Sequence, residues 1–251
     1  VAFLYNFLAD LHTHTTFSHG KGSIEDNYRA GAGNGLKQVG ISDHGLRHIA
    51  MKVKQYEIPV MRAEAERLTG TLNGCELLLG IEANIYGKNG EVDLTYAQRD
   101  MFDYVIAGFH PACIPKNILQ AFTFNLSGSL RSIFPDVRVK EKYTRAYVKA
   151  IMSGKVDIIS HLNLYVRTDV SEVGKAARDY GVMIELNGKG VAMTDDEVDK
   201  LYKLGVMFIV NSDAHSPQRV GDFSAPLKVI ERVGIPEHAI ANADKIIRFR
   251  R

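Results

Sequence analysis

The segment "ADLHTHTTFSHG", Ala9 to Gly20, places three histidines at the end of an apolar run that predicts the first strand. Side chains two residues apart in a strand point to the same face, so His12 and His14 share a face, and His19 follows in the loop. In barrels of parallel strands, the carboxyl ends of the strands meet at one face, where enzymes of this fold place their active sites. The segment therefore predicts a strand whose carboxyl end carries chemistry.

Similar apolar runs recur along the chain and alternate with helical patterns. The predicted strands are Phe7 to Thr13, Gln38 to Asp43, Leu77 to Asn84, Tyr104 to Phe109, Val156 to His161, Val182 to Asn187 and Val206 to Ser212. The predicted helices are Ile24 to Gly33, Lys52 to Leu72, Lys140 to Ser153, Val170 to Tyr180, Asp195 to Leu204 and Ser224 to Val233. This alternation is typical of βα units around a parallel sheet. A chain of 251 residues has the usual length of one α/β barrel, so we predict a single domain over residues 1–251.

Local patterns mark several boundaries of these elements. Ser23 and Thr194 are predicted N-caps, each with an acidic residue three positions further on. The stretch "YGKNGEVDL", residues 86–94, predicts a hairpin turn after the third strand. Residues 112–139 form a longer segment than a βα loop usually has. We expect this insertion to pack over the active-site end of the barrel, either as a lid or specificity loop or as an inert insertion.

Nine residues that can ligate a metal fall at or just beyond the predicted strand ends. They are His12, His14, His19, His44, Glu82, His110, His161, Asp213 and His215. The sixth strand, "IELN", adds no histidine, and His48 and His238 fall outside the set. A single histidine of this kind is usually a surface residue or a hydrogen-bonded core residue. Seven histidines converging with two carboxylates favour a metal site instead.

Two further acids are candidates for supporting the imidazoles. Asp10 has the same strand parity as His12, and Asp43 adjoins His44. A carboxylate in either place can orient an imidazole ring. A buried salt bridge is the alternative for both acids.

Three cationic side chains near the strand ends are candidates for binding substrate. Lys189, in "NGKG" after the sixth strand, is a candidate phosphate contact, and a solvated lysine in a glycine turn is the alternative. Arg47 and Arg167 are further candidates, because arginine binds phosphate through paired hydrogen bonds.

The candidate ligand set exceeds the needs of one catalytic metal, which usually takes three protein ligands and keeps one position open. We therefore predict about two to three divalent ions, and ligands of nitrogen and oxygen without thiolate suit Zn²⁺, Mn²⁺ or Fe. Such ions leave a positive charge in a confined site, which favours a phosphate group as ligand. Glu82, Asp213 and His215 are the predicted catalytic residues, with a bound water as the nucleophile.

The motifs "DLHTHT", "ISDHG", "GIEANI", "IAGFH", "IISH" and "NSDAH" resemble the ordered motifs of the PHP (polymerase and histidinol phosphatase) superfamily. The stretch "GIEANIYGKNGEVD" is most similar to its stand-alone YcdX-like phosphatases. The resemblance spans nearly the whole chain and implies one PHP domain, a distorted (β/α)7 barrel similar to a TIM barrel, with a trinuclear metal centre.

The same resemblance implies how the ligands divide among the metals. His12, His14, Glu82 and Asp213 would hold the first ion, Glu82 would bridge to a second held by His110 and His161, and His19, His44 and His215 would hold the third.

The leading hypothesis for function is metal-dependent hydrolysis of a small phosphate monoester. A PHP-type nuclease or phosphodiesterase is one alternative, and a non-catalytic metal-binding regulatory or polymerase-support module is another. An amidohydrolase-like barrel shares the HxH of the first strand, but it usually carries a metal-bridging lysine on the fourth strand. Here the fourth strand ends in His110.

Composition limits the partners and the compartment. The chain has 31 basic and 29 acidic residues and a net charge of +2, so no general surface for nucleic acid is expected. Its 2 cysteines are not closely spaced, which gives no disulfide framework and fits the cytoplasm. No apolar run approaches the roughly 20 residues that cross a membrane. A small phosphorylated substrate is the expected partner, and a homo-oligomer is compatible with the sequence.

Overall fold

The computed structural model describes residues 5–72, 74–115, 124 and 137–249. Its centre is a sheet of seven parallel strands, each hydrogen-bonded to the next in chain order. The strands are β1 (Ala9–Thr13), β2 (Gln38–Ile41), β3 (Glu76–Asn84), β4 (Tyr104–Gly108), β5 (Ile158–Ile159), β6 (Met183–Asn187) and β7 (Phe208–Asn211).

Helices connect most of these strands and cover the outside of the sheet. In the described ranges, the α-helices are α1 (Ile24–Gly33), α2 (Ile58–Leu68), α3 (Tyr96–Arg99), α4 (Val137–Met152), α5 (Val170–Tyr180), α6 (Asp195–Lys203) and α7 (Ser224–Val233). Short 3₁₀ helices span Gln55–Glu57, Pro217–Arg219 and Glu237–Ala239. None of these helices is both long and apolar enough to span a bilayer.

The first and last strands meet, which nearly closes the sheet into a barrel. The His14 amide donates to the Ala214 carbonyl at 2.8 Å, and the Ala214 amide donates to the His12 carbonyl at 3.2 Å. A parallel bridge between Thr13 and Ala214 accompanies these bonds. The predicted (β/α)7 barrel is therefore confirmed.

A β-bulge in β1 distorts the barrel and changes which side chains face inward. Asp10 pairs with Val39 but Thr13 pairs with Ile41, so β1 has one more residue than β2 over this stretch. An extra residue reverses the alternation of faces along a strand. Leu11 before the bulge and His12 after it can thus both face the barrel interior.

Apolar side chains fill the barrel below the carboxyl ends of the strands. Tyr104 on β4 donates from its hydroxyl to the Leu11 carbonyl on β1 at 2.6 Å, a contact between strands that are not neighbours in the sheet. Its ring fits because glycines face it: a Cβ at Gly40 would lie 2.1 Å from Tyr104 Oη, and one at Gly80 would lie 2.3 Å from Tyr104 Cζ. The Phe249 ring stacks on Tyr104 at 5.0 Å. The floor of the barrel, below the carboxyl ends of the strands, is therefore filled by packed side chains.

The predicted caps and the hairpin are confirmed. Ser23 and Thr194 each form a reciprocal capping box with the acidic residue three positions on. After β3, an antiparallel bridge joins Ile85 and Val92. The predicted helix from Lys52 is shorter than expected, because Pro59 lacks an amide hydrogen and is tolerated only in the first helical turn.

The predicted insertion at 112–139 falls largely outside the described residues, which include 112–115, 124 and 137–139. Phe124 is buried, and its ring lies 5.6 Å from that of Phe109 and 4.9 Å from that of Tyr143. That the insertion covers the active-site end stays a prediction.

Candidate metal centre

All nine predicted ligands meet at the carboxyl end of the barrel. They are His12 and His14 from β1, His19 from the next loop, His44 after β2, Glu82 from β3, His110 after β4, His161 after β5, and Asp213 and His215 after β7. Glu82 is central to the cluster and only 1% exposed, with oxygens near imidazoles from four different strands or their loops.

One group of ligand atoms surrounds Glu82 Oε1. His161 Nε2 lies 2.8 Å and His110 Nε2 lies 3.3 Å from this oxygen, and the two nitrogens are 3.1 Å apart. Ligands about 2.0–2.1 Å from a tetrahedral zinc ion are about 3.3 Å from one another. The three atoms therefore have the spacing needed to share one ion.

A second group lies on the β1 side of Glu82. His14 Nε2 is 3.2 Å and His12 Nε2 is 3.7 Å from Asp213 Oδ1. The same two nitrogens lie 3.7 and 3.4 Å from Glu82 oxygens. These separations again suit ligands of one ion with small adjustments of the side chains.

The third group is closer to solvent. His14, His19, His44 and His215 each offer a nitrogen, and these atoms lie within 4.8 Å of one another. The His19 side chain is exposed and His215 is half-buried. His44 Nδ1 is also 2.8 Å from Glu82 Oε2, so this group adjoins the other two.

Unpaired nitrogens test whether the cluster fits metal ions. Four of its imidazoles hold buried nitrogens that make no hydrogen bond within the described part of the chain: His12 Nε2, His14 Nδ1 and Nε2, His44 Nδ1 and His161 Nδ1. Three of these atoms, His12 Nε2, His14 Nε2 and His44 Nδ1, lie near carboxylate oxygens without the alignment of a hydrogen bond. Leaving a buried polar atom unpaired costs about 1–3 kcal/mol. Because imidazole nitrogen and carboxylate oxygen are good ligands for zinc-like ions, the residues fit such ions.

The charges of the cluster also suit metal binding. Burial raises the pKa of Glu82, but the neighbouring imidazoles of His110 and His12 outweigh it and hold the pKa well below its usual range. Burial is the main cause that lowers the pKa of His14 well below its usual range, and the neighbouring His44 lowers it further. Burial, followed by the neighbouring His215, lowers the pKa of His19 to about 4. A carboxylate at Glu82 and neutral imidazoles at His14 and His19 are the forms that bind metal. At His12 and His161 the neighbouring carboxylates outweigh burial and raise the pKa instead.

Two of the candidate ligands have strained backbones. His161 has a backbone φ of 31° and Asp213 has a φ of 52°, values that residues other than glycine rarely adopt. Such strain is concentrated at functional sites.

Glu185 on β6 is a site residue that the sequence prediction missed. Its Oε1 lies 2.7 Å from His12 Nδ1, and its Oε2 accepts from the His161 amide at 3.0 Å. Accepting a hydrogen from Nδ1 fixes the His12 tautomer and leaves Nε2 free to ligate. The available clue was a charged residue between Ile184 and Leu186 in a strand predicted to be buried.

Asn84 performs the same task for His110 and was also missed. Asn84 Oδ1 lies 2.9 Å from His110 Nδ1, while the Asn84 amide nitrogen donates to Asp93 Oδ2 at 2.6 Å. Asp93 belongs to the hairpin after β3 and accepts a further bond from the Arg47 backbone amide at 2.8 Å. The hairpin thus fixes the orientation of a candidate ligand.

The prediction that Asp10 and Asp43 orient imidazoles is wrong. Asp10 accepts from the backbone amides of Ser212 at 3.0 Å and Gly221 at 2.8 Å, because the bulge in β1 turns it away from the imidazoles. Asp43 accepts from the Thr15 amide at 2.7 Å and from the Ser18 hydroxyl at 2.5 Å. Both acids fix loops around the cluster.

The three predicted substrate contacts lie in different places. Lys189 Nζ is in the cluster, 3.1 Å from Asp213 Oδ1 and 3.3 Å from His215 Nε2. Arg167 lies at the rim, where it donates to the Ala192 carbonyl at 3.3 Å.

Arg47 is directed elsewhere. Its guanidinium donates to the carbonyls of Ile114 at 2.9 Å and Pro115 at 3.1 Å and lies 4.7 Å from the centre of the Tyr86 ring. The structure therefore does not bring Arg47 to the candidate ligands.

His48, which fell outside the predicted set, lies beside the cluster. Its ring stacks 5.0 Å from that of His44, and its Nδ1 accepts from the Met51 amide at 3.1 Å. His238 is exposed on a short 3₁₀ helix.

A cavity of about 530 Å³ opens onto the cluster. Its described lining includes seven of the nine candidate ligands, all but His12 and His14, together with His48 and Lys189. It also includes the apolar residues Met51, Ala112, Leu164, Tyr165, Val191 and Ala192. The volume suits a small molecule.

The fold and the cluster together define a barrel with a histidine-rich candidate metal centre. The family model described as PHP domain matches residues 10–196, and the chain belongs to this family. Asp213 and His215 lie beyond the matched residues.

Two relatives match nearly the whole chain, and a solved structure shares its fold. The chain is 31% identical over 245 residues to a probable phosphatase of Thermoanaerobacter sp. (strain X514), covering 94% of this chain and 90% of the relative. It is 30% identical over 246 residues to a probable phosphatase of Shewanella frigidimarina (strain NCIMB 400), covering 94% and 89%. The fold is shared with histidinol phosphate phosphatase from Lactococcus lactis subsp. lactis Il1403, solved with zinc, L-histidinol and phosphate. That comparison gives a TM-score of 0.55 at 14% identity, covering 91% of this chain and 94% of the other.

Proposed function

We propose that this protein is a metal-dependent phosphatase that hydrolyses a small phosphate monoester. The observation that carries the proposal is the convergence of seven imidazoles with the carboxylates of Glu82 and Asp213, and some of the buried nitrogens lack hydrogen-bond partners in the described chain. Two relatives over nearly the whole chain are named probable phosphatases. The Lactococcus enzyme, which has this fold, binds zinc and phosphate together.

We assign the three groups of ligands to about three divalent ions, which would be zinc, manganese or iron. The first would be held by His12, His14, Glu82 and Asp213, the second by Glu82, His110 and His161, and the third by His19, His44 and His215. Ions bound there would lower the pKa of a bound water to supply the nucleophile and would stabilise phosphate oxygens.

The chain's own groups would bind and orient the substrate. Lys189 offers its ammonium to a phosphate oxygen, because its side chain is half-exposed and its Nζ already lies between Asp213 and His215. Glu82, Asp213 and His215 are the proposed catalytic residues, since all three line the same cavity as Lys189. Burial of Glu82 and Asp213 excludes water from their charges and strengthens their interactions with cations.

The test combines metal content with phosphate release for the wild type and Glu82→Ala. We expect about two to three metal ions per wild-type chain by elemental mass spectrometry, and metal-dependent phosphate release from a panel of small monoesters. Glu82→Ala should hold clearly fewer ions and release no phosphate above background. The matched control is Glu66→Ala, on the exposed side of α2, which should behave as wild type.

Two results would contradict the proposal. Metal-loaded wild type that releases no phosphate from any monoester would indicate a metal-binding module without this activity. Wild type that binds one ion or none would exclude the trinuclear centre.

A further inference from the structure

The cavity over the candidate metal centre has an apolar wall as well as a polar floor. The wall consists of Leu164, Tyr165, Val191 and Ala192 from the loops after β5 and β6. Leu164 is 48% exposed and Tyr165 is 41% exposed, although both line a cavity. Large apolar side chains grouped at the mouth of a cavity favour an apolar ligand, because its binding removes their surface from water.

The wall stands directly beside candidate ligands. The Tyr165 ring centre lies 5.9 Å from that of His110 and 5.7 Å from that of His161. Leu164 is tied to the same place, since its amide donates to the His161 carbonyl at 3.0 Å. A phosphate group bound at the candidate metal centre would thus place its ester substituent within reach of these two side chains.

Hydrogen bonds fix the wall in the absence of ligand. The Asn163 side-chain oxygen accepts from the Thr168 amide at 2.8 Å and from the Thr168 hydroxyl at 2.9 Å, which closes the loop that carries Tyr165. Arg167 joins this loop to the other one through the Ala192 carbonyl at 3.3 Å. A surface that is already formed loses little entropy on binding.

Charge points to one phosphate group rather than several. In the described lining of the cavity, Lys189 is the one lysine or arginine. Arg47 is bonded to the Ile114 and Pro115 carbonyls, and Arg167 lies 3.6 Å from Glu197 Oε1. A second phosphate beside the wall would therefore meet apolar side chains, which cannot replace its hydration.

We propose that the substrates are phosphate monoesters whose alcohol part is apolar and preferably aromatic, with this wall as its binding surface. This inference rests on the proposed phosphatase function. Tyr165 would stack with or lie edge-on to the aromatic group, and Leu164 and Val191 would cover its sides.

The test compares 2-phenylethyl phosphate with ethyl phosphate, because both release a simple alkoxide and differ in the ring. We expect kcat/KM of the metal-loaded wild type to be about tenfold higher for the phenyl ester, which is what burying most of one ring supplies. Tyr165→Ala should lower kcat/KM for the phenyl ester about tenfold and change that for ethyl phosphate less than about twofold. Tyr165→Phe keeps the ring and should retain the preference.

A binding measurement makes the test independent of turnover. Calorimetry should give a Kd for 2-phenylethylphosphonate about tenfold lower than that for ethylphosphonate, and Tyr165→Ala should remove the difference. Leu164→Ala is a second variant and should reduce it in part. Tyr180→Ala, which removes a comparably exposed tyrosine at the end of α5, is the matched control and should leave both constants unchanged.

The outcomes separate the two proposals. Hydrolysis of both esters with equal kcat/KM, or an equal loss on both in Tyr165→Ala, would overturn the apolar-wall inference and leave the phosphatase proposal standing. No hydrolysis of either ester or of the wider monoester panel would overturn the phosphatase proposal itself.

Discussion

At the scale of single residues, the orientation of the imidazoles depends on groups that do not contact the metal positions. Glu185 determines which nitrogen of His12 carries the hydrogen, and Asn84 does so for His110. In both cases the other nitrogen, Nε2, faces Glu82. The cluster is therefore arranged for metal ligation by its hydrogen bonds as well as by the fold.

Glu185→Gln tests this dependence. The amide keeps the size of the side chain but removes the negative charge that stabilises the Nδ1–H form of His12. We expect the metal affinity to fall about tenfold, since groups that orient ligands are typically worth 10–100-fold. Competition with a chelator of known affinity measures it, and Glu66→Gln is the surface control. An affinity equal to that of wild type would mean that Glu185 does not orient His12.

The candidate metal ligands were predictable from the sequence, and the residues that orient them through hydrogen bonds were not. Histidines are rare enough that seven at strand ends stand out, and the structure brings all seven together. Asn84 looks like an ordinary strand residue until its partner is known, and the one clue to Glu185 was its charge within a strand predicted to be buried. Asp10 was misplaced because simple alternation takes no account of a bulge, which depends on pairing with β2.

At the scale of elements, long periodic segments were predictable and short or closely packed ones were not. Helices α1, α5 and α7 have the predicted bounds, because their apolar faces and caps are local features. Strand β5 is only two residues long, since only Ile158 and Ile159 pair with both neighbours. The helix α3 was missed because four residues are too few to show a helical period.

The close packing of Gly40 and Gly80 against the Tyr104 ring gives a prediction at this scale. In Gly80→Ala, the new methyl group would lie 2.3 Å from Tyr104 Cζ, so the ring or the strands must shift. Overpacking of this kind costs about 1–3 kcal/mol of unfolding free energy. Urea denaturation followed by circular dichroism measures the loss.

Gly33→Ala is the matched control for this substitution. It lies at the end of α1 with no atom within 4 Å of the added carbon, and alanine favours helix by about 0.5–1 kcal/mol. We expect this variant to be as stable as wild type or slightly more so. Equal stability of the two alanine variants would show that the barrel floor adapts to the extra methyl group.

At the scale of the whole molecule, the barrel ends differ in their contribution to stability. The floor around Tyr104 is apolar and closed by the C-terminal residues Ile247 and Phe249. The opposite end buries carboxylates and imidazoles, and five nitrogens of four of these imidazoles lack hydrogen-bond partners in the described chain. Desolvation of these groups opposes folding. Bound cations should therefore offset the desolvation free energy that destabilises the metal-free protein.

Removal of metal should therefore lower the melting temperature of the protein. A ligand at 100 times its Kd stabilises the folded state by about 2.7 kcal/mol, and in a domain of this size each kcal/mol shifts Tm by about 2–4 °C. We expect Tm to fall by about 5–10 °C after chelation and dialysis, and to recover when zinc or manganese is restored. Differential scanning calorimetry of the same preparation before and after chelation measures both changes.

Glu82→Ala separates metal loss from other effects of the chelator. Because Glu82 lies within reach of imidazoles from four strands or their loops, its loss should remove most of the metal-dependent shift, and the chelator should then change Tm by less than about 2 °C. A wild-type Tm that is the same with and without metal would show that the apo cluster satisfies its own charges. In that case the unpaired imidazole nitrogens would have to find water partners, and the strained backbones of His161 and Asp213 would need another explanation.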